Sequence, residues 1–396
     1  MIHLNQREVV IVSMVRTPIG NYLGSLSSLS AVDLGVIAGR EAIRRAGIQP
    51  GQIDDVMAGV VYKGGLKGNP ARQIQLALEI PLAVPAATVE QQCSSSMRAL
   101  EIGRQQIQLG NTDVCLVCGI ESMSNVPHYD FKARKGYRLG PATIVDGLQQ
   151  DGLIDAFDDL PMALTAERLA DQYHITRQEV DELALLSQER ALAAQAAGRF
   201  RDDIVPVEVK GRKGAVVVDT DEHPRKTSLE ELGRLKPMFK ADGIVTAGNA
   251  SGMNDAACAM VIMSAEKARE LGLAPLGRIL SSATVGVAPE IMGIGPVYAV
   301  PKAVERAGLT MADIQYQEIN EAFAAQFVAC RKAMELDMDN VNVNGSGISL
   351  GHPVGCTGLR IVMAALTELR RRGQRYGCAS LCAGGGPAMA TVVEAL

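Results

Sequence analysis

The stretch Ala42-Ile-Arg-Arg-Ala-Gly-Ile48, with Ile53 beyond it, returns far downstream as Ala303-Val-Glu-Arg-Ala-Gly-Leu309, with Ile314 beyond it. Each copy reads as a helix ending: an apolar stripe, a basic residue in the last turn, and glycine as the stop. Each leads into a strand-like segment, residues 56–61 in one case and 316–319 in the other. The match continues. Thr88-Val89 runs into Cys93, a helical stretch to Leu109 and a strand over 114–117. Residues 341–343 run into a glycine-rich loop over 345–358, a helix from about 359 to 372 and a strand over 378–381. Strands alternating with helices predict an α/β fold of two duplicated βαβ-type halves, with right-handed crossovers and largely parallel sheets. Packing the halves together brings equivalent loops face to face.

With 396 residues the chain is too long for one ordinary core. The division predicted is residues 1–121 with 245–272 as the first half, 122–244 as an insertion, and 273–396 as the second half. The insertion carries a capping box, Thr176-Arg-Gln-Glu179. A helix should follow with Val180, Leu183, Ala184, Ser187 and Ala191 on one face and Gly198 as its stop. Short strands over 207–209 and 216–218 and a polar stretch over 219–228 complete what reads as a lid or cofactor-binding unit.

The formal net charge of −5 and the lack of a basic stripe argue against nucleic acid. No apolar run approaches the roughly 18 residues of a membrane span, and residues 1–20 carry no leader pattern, so the expected location is cytoplasmic. Eight cysteines in such a chain are expected to be reduced thiols. Cys115 and Cys118 stand three apart on a predicted strand and so face opposite ways, which disfavours a metal or redox pair. No other Cys/His spacing resembles a zinc site, and neither a metal nor a bound redox cofactor is expected.

Three segments carry chemistry. Cys93 stands between a strand and a helix, where free helix N–H groups favour a thiolate and hence a nucleophile. Taken alone, the same cysteine reads equally well as a small core residue. His352 lies among glycines and before a proline in Asn342-Val-Asn-Gly-Ser-Gly-Ile-Ser-Leu-Gly-His-Pro-Val-Gly355, a setting that His3, His128, His174 and His223 lack. It is the candidate partner for a nucleophilic cysteine. Cys382 ends an apolar strand and is followed by Ala383 and three glycines, whose N–H groups could form an oxyanion hole.

Together with Arg16-Thr-Pro-Ile-Gly20, Cys93-Ser-Ser, Gly119-Ile-Glu-Ser-Met-Ser124, Thr246-Ala-Gly-Asn-Ala-Ser-Gly252, Asn320-Glu-Ala-Phe-Ala324 and Gly351-His-Pro353, these segments resemble the thiolase superfamily in order along nearly the whole chain. The length of the insertion resembles acetoacetyl- and 3-oxoacyl-CoA thiolases rather than synthases. The resemblance implies a layered αβαβα fold with a loop domain over coenzyme A, and CoA thioesters as substrates. It implies that Cys93 carries the acyl group and that His352 takes its proton and, with a water held by Asn320, helps stabilise the thioester oxygen of the second substrate. Cys382 would be the acid or base at the α-carbon, and the N–H groups of Cys93 and Gly384 would hold an oxyanion. It further implies Arg225 at the nucleotide end, Ser251 at the pantetheine, and Phe239, Phe323 and Met162 along the apolar channel. A homodimer or homotetramer is implied, with residues 123–138 resembling the part that joins dimers.

Four departures stand out: Ser96 for a usual glycine, Leu160-Pro-Met-Ala163 for Tyr-His-Met-Gly, Pro387-Ala388 for a methionine and glycine, and Glu90 for asparagine. They are expected at the pocket wall, where they would alter acyl preference or represent drift. A decarboxylating ketoacyl synthase would lack Cys382 in this setting, and a CoA-binding scaffold would not need all three reactive residues. A nicotinamide enzyme is disfavoured by the spacing of Gly345-Ser-Gly-Ile-Ser-Leu-Gly351.

Overall fold

The computed structural model describes residues 7–211 and 214–396. The first half opens with β1 (Val9–Arg16), the short β2 (Gly20–Asn21), α1 (Ala31–Ala46), β3 (Asp55–Gly59), α2 (Pro70–Ala77), β4 (Ala86–Val89), α3 (Ser95–Gln108) and β5 (Val114–Ser122). Between β5 and the strand that closes this half lie a small hairpin, β6 (His128–Tyr129) with β7 (Val145–Asp146), then α4 (Ala163–Gln172) and α5 (Arg177–Ala196). A second hairpin, β8 (Val207–Gly211) with β9 (Gly214–Val218), and α6 (Leu229–Gly233) follow. The first half ends with β10 (Asn254–Ser264) and α7 (Ala265–Glu270). The second half consists of β11 (Gly277–Gly286), α8 (Pro296–Arg306), β12 (Tyr316–Ile319), α9 (Ala324–Met334), α10 (Gly347–Leu350), α11 (Val354–Arg372), β13 (Tyr376–Cys382) and β14 (Pro387–Ala395).

The duplication is visible in strand order. The first half runs β4-β3-β5-β10-β1 and the second β12-β13-β14-β11, so β3, β5, β10 and β1 answer to β12, β13, β14 and β11. Antiparallel pairing of β1 with β11 joins these two sets of strands, a first and a second sheet, into one continuous ten-stranded sheet, which is mixed rather than largely parallel. Only β3–β4, β3–β5 and β12–β13 pair in parallel, and the strands returning from long excursions, β10 and β14, pair antiparallel. The expected strand over 341–343 is a single bridge from Val341 to Gln317. There the Asn342 side chain takes the place of a strand: the Ile319 N–H donates to its Oδ1 at 2.9 Å, and its Nδ2 donates to the Ile319 carbonyl at 2.7 Å.

Three cores define the layers. Helices α1 and α2 cover the outer face of the first sheet, and α8 covers that of the second. Between the sheets α3 and α11 lie together, with Met97, Leu100, Leu359, Ile361 and Leu366 packed among strands of both halves. Alternation along β5 sends Cys115 and Val117 into this middle layer and Leu116 and Cys118 outward. The two cysteines therefore face apart, as the strand periodicity requires.

The capping box of α5 is present, and Val180, Leu183, Ala184, Ser187 and Ala191 are all buried. This helix packs on α9 and α10. The polar stretch after β9 is anchored to the first half by an ion pair: the Arg16 guanidinium grips Asp221 at 2.6 and 2.8 Å, and both are buried. No helix among the described residues is long and apolar enough to cross a membrane.

Candidate active site

Cys93 sits in the short link between β4 and α3. Gln92 adopts a left-handed conformation (φ 49°), and the hydroxyls of Ser94 and Ser95 donate to the Gln91 and Gln92 carbonyls at 2.7 and 2.6 Å. The link can be this tight because β3 ends in Gly59, where any Cβ would lie 2.3 Å from the Ser96 nitrogen. The N–H groups of Gly384 and of Cys93 itself face the Cys93 sulfur. Their pull does not make a resting thiolate, contrary to expectation. Burial dominates and pushes the thiol up to about 11, with Glu121 and Glu90 adding to the rise. Cys93 therefore rests as a thiol.

His352 is held in a fixed orientation and tautomer. Its own N–H donates to Asn254 Oδ1 at 2.9 Å, and the preceding Gly351 (φ 99°) lies flat against the Asn254 amide. Asn254 also donates to the Gly20 carbonyl at 3.0 Å, tying the histidine loop to the first half. The ring's Nδ1 lies 2.7 Å from Thr357 Oγ1, and that hydroxyl donates to the Pro353 carbonyl at 3.0 Å. A hydroxyl that has given its proton away can only accept, so Nδ1 carries the hydrogen and Nε2 keeps a free lone pair. Burial, with Arg360 adding, lowers the imidazole to about 3, so it is neutral at rest. The Asn320 amide lies across the ring, its Nδ2 3.5 Å from each ring nitrogen.

Cys382 closes β13 from the opposite side. Burial and the nearby Cys93 hold its thiol well above its ordinary range. The turn after it is locked by the Ala383 N–H on the Pro387 carbonyl (2.8 Å) and the Gly386 N–H on the Ala383 carbonyl (3.2 Å). Gly384 is pressed against Met162, which together with Phe323, Ala322 and Met292 packs around Cys382. Cys93, Gly384 and Cys382 thus lie together, with Met162 and Phe323 on the apolar side, while Asn320 and His352 form a second pair, tied to Cys93 through the apolar cluster that Val354 shares.

The remaining sequence candidates lie progressively farther out. Ser251 is half-buried, its N–H on the Ala322 carbonyl at 3.0 Å, next to the bridge between Ala250 and Phe323. Arg225 is held by its N–H to Gln188 Oε1 (2.9 Å), and its guanidinium reaches the Ala247 carbonyl (3.4 Å). Phe239 is exposed on the segment after α6.

One of the departures lies at a helix crossing away from the pocket, and another contains the cross-strand partner of Cys382, Ala388. Ser96 is fully buried where α3 crosses α11, in contact with Gly119 and Gly358, and its Oγ accepts the Leu359 N–H at 2.9 Å. Ala388 packs into the α8 side of the second sheet, against Gly295, and Pro387 pairs with Gly286 at the edge of that sheet. The Leu160–Ala163 segment does reach the site, through Met162. Glu90 is exposed, its Oε1 accepting the Gln92 N–H at 2.6 Å.

Sequence reasoning gave no role to Asn254, Thr357 or Glu121. Thr357 lies five residues after His352, within the first turns of α11, and that spacing could have marked it. Asn254 carried no local signal. Among the described residues no group of three or more His, Cys, Asp or Glu side chains could hold a metal ion.

Residues 9–266 match the family model described as thiolase, N-terminal domain, and residues 273–395 match thiolase, C-terminal domain. An acetyl-CoA acetyltransferase of Syntrophomonas wolfei is 46% identical over 98% of this chain and 100% of its own length. The crystal structure of the Bacillus anthracis acetyl-CoA acetyltransferase is similar at a TM-score of 0.97 and 46% identity, covering 99% of both chains. Human mitochondrial 3-ketoacyl-CoA thiolase in complex with CoA is similar at a TM-score of 0.95 and 40% identity, covering 98% of both chains.

Proposed function

The chain belongs to the thiolase family, and we propose that Cys93, His352, Asn320, Cys382 and the Gly384 N–H carry out its acyl transfer. The chain is a CoA-dependent acyltransferase of the acetyl-CoA acetyltransferase or 3-ketoacyl-CoA thiolase type, making and breaking the carbon–carbon bond of a 3-oxoacyl thioester. In thiolysis the Cys93 sulfur attacks the 3-oxo carbon as its proton passes to His352 Nε2. The oxyanion is held by the N–H groups of Cys93 and Gly384. The C–C bond then breaks, leaving the acyl group on sulfur and its electron pair on the α-carbon of the departing enolate. His352, now cationic, and Asn320 stabilise the enolate oxygen, and the Cys382 thiol donates the proton that turns it into acetyl-CoA. Free CoA attacks the acyl-cysteine and returns a proton to Cys382, while Cys93 recovers its own from His352. Condensation is the reverse.

The observation that carries this reading is the pairing of a histidine whose free lone pair is fixed by Thr357 with a thiol that faces the Gly384 N–H. Two thiols serve because an acyl carrier and a proton donor are needed in the same step.

The finer assignments rest on the same footing. Residues 122–244 form the cover for coenzyme A, with Arg225 toward the nucleotide, Ser251 at the pantetheine, and Phe239, Phe323 and Met162 along the apolar channel. The edge strand β4, which pairs only with β3 among the described residues, suits dimer formation. The hairpin segment with exposed Phe131 and Leu139 suits a tetramer. All eight cysteines are free, which suits a reducing cytoplasm.

The test is thiolysis of acetoacetyl-CoA by the purified protein with free CoA, then of longer 3-oxoacyl-CoAs. Turnover abolished by Cys93→Ala supports the assignment, and the preferred chain length sets the substrate. Turnover surviving in Cys93→Ala would remove that residue as the acyl carrier.

A further inference from the structure

Glu121 is a buried carboxylate at the end of an otherwise apolar strand, and the steps above do not use it. Among the described residues it has no cationic partner. Its oxygens accept three backbone N–H groups instead. Oε2 takes Val61 at 3.1 Å and Gly355 at 2.8 Å, and Oε1 takes Tyr62 at 3.3 Å. Val61 and Tyr62 belong to the loop leaving β3 in the first half. Gly355 belongs to the first turn of α11 in the second half, next to His352 and Pro353. One oxygen therefore joins the backbones of the two halves.

What those backbones carry makes the joint more than a structural filler. Val61, Tyr62 and Val354 form one apolar cluster, and Cys93 packs against it. The histidine loop is held from its other side by Asn254, so Glu121 and Asn254 grip it on both flanks. The fit at Gly355 is close: a Cβ there would stand 2.7 Å from Glu121 Oε2 and 2.7 Å from the Ile120 carbonyl. A neutral apolar side chain at 121 would leave three buried N–H donors unpaired and the spacing between the loops unset.

We propose that Glu121 is a positioning residue for acyl transfer, a clamp that fixes the distance between Cys93 and the base His352 by holding both their supporting backbones on one carboxylate. This rests on the assignment of Cys93 and His352 as nucleophile and base. Proton transfer between them depends steeply on distance, and a misplacement of about 1 Å costs on the order of a hundredfold in rate.

The experiment compares wild type, Glu121→Gln and Glu121→Ala in acetoacetyl-CoA thiolysis at saturating and limiting CoA, well below each variant's Tm. The expected result is a kcat about a hundredfold lower for Glu121→Ala, with KM for CoA within about twofold. Glu121→Gln, which keeps an oxygen for Val61 and Gly355, should recover about tenfold of that loss. A merely structural role would lower Tm and leave this split and this rescue absent. A Glu121→Ala kcat within about twofold of wild type, or a loss confined to KM, would overturn the clamp alone. If Glu121→Ala does not fold, Glu121→Gln decides: a fall of about tenfold in kcat supports the clamp and a kcat within about twofold overturns it. An inactive wild type would overturn the underlying reading as well.

Discussion

The two halves share a strand order and, on the proposed assignment, divide the chemistry between them. The same step from Ile53 and from Ile314 reaches Gly59 in one half and Asn320 in the other. Gly59 has no side chain, so α3 can start directly on the strand end and Cys93 is presented from a link of few residues. Asn320 keeps its side chain, and the second half spends a long loop and the short α10 before α11 begins, with His352 at the loop's end. Close approach fixes a nucleophile in one half. Side-chain hydrogen bonds, from Asn254, Thr357 and Asn342, shape the base and its surroundings in the other. One architecture thus supports two ways of holding a reactive group, by backbone packing and by polar scaffolding.

The largest expected contrast is between the two cysteines. Cys93→Ala should lose thiolysis by about 10⁴-fold or more and form no acyl-enzyme. Cys382→Ala should lose overall turnover on a similar scale, yet still be acylated by acetyl-CoA, seen as an added acetyl group in intact-protein mass. Equal loss of acylation in both would break the division of labour.

A second contrast sets the equivalent strand ends against each other. Gly59→Ala forces backbone apart and should cost about 1–3 kcal/mol, read as a lower Tm. Asn320→Ala should leave Tm nearly unchanged and lower kcat about tenfold or more. Reversed results would mean the two positions do not differ as packing and polar support.

The thiol character of Cys93 gives a third prediction. Because burial raises it to about 11, the thiolate fraction at neutral pH is small and grows tenfold per unit of pH. Alkylation of free enzyme by iodoacetamide should therefore rise about tenfold per pH unit from 7 to 9 without levelling. A plateau near neutrality would restore the thiolate expected from the helix N-terminus.

The smallest effect is expected at Ser96. Lying at the α3–α11 crossing and not in the pocket, Ser96→Gly should change kcat and chain-length preference by no more than about twofold while lowering Tm. A changed substrate profile would return this residue to the pocket wall.

What could be read from the sequence was what is decided locally. The capping box at Thr176, the glycine stop at Gly198 and the opposed faces of Cys115 and Cys118 depend on neighbours a few residues away, and all are present. The candidate trio stood out in the sequence because glycines and prolines around it are local constraints too. The mixed sheets were not legible, since β10 and β14 return from long excursions and their direction is set by distant partners. Nor was the state of Cys93, because the groups that bury it, Val61, Tyr62 and Val354, come from elsewhere in the chain. The missing strand at Val341 failed for another reason: a single side chain, Asn342, supplies the pair of hydrogen bonds that a strand would have made.

The crossing of α3 and α11 has a consequence for how such a chain can change over generations. Ser96 meets Gly119 and Gly358 with no space to spare, and its hydroxyl bonds the backbone of the opposite helix. A bulkier residue on one helix is admissible only while its neighbours on β5 and α11 stay small. The duplicated halves, once free to diverge as separate copies, are bound there into a shared lineage: a substitution in either one selects what the other is able to accept next.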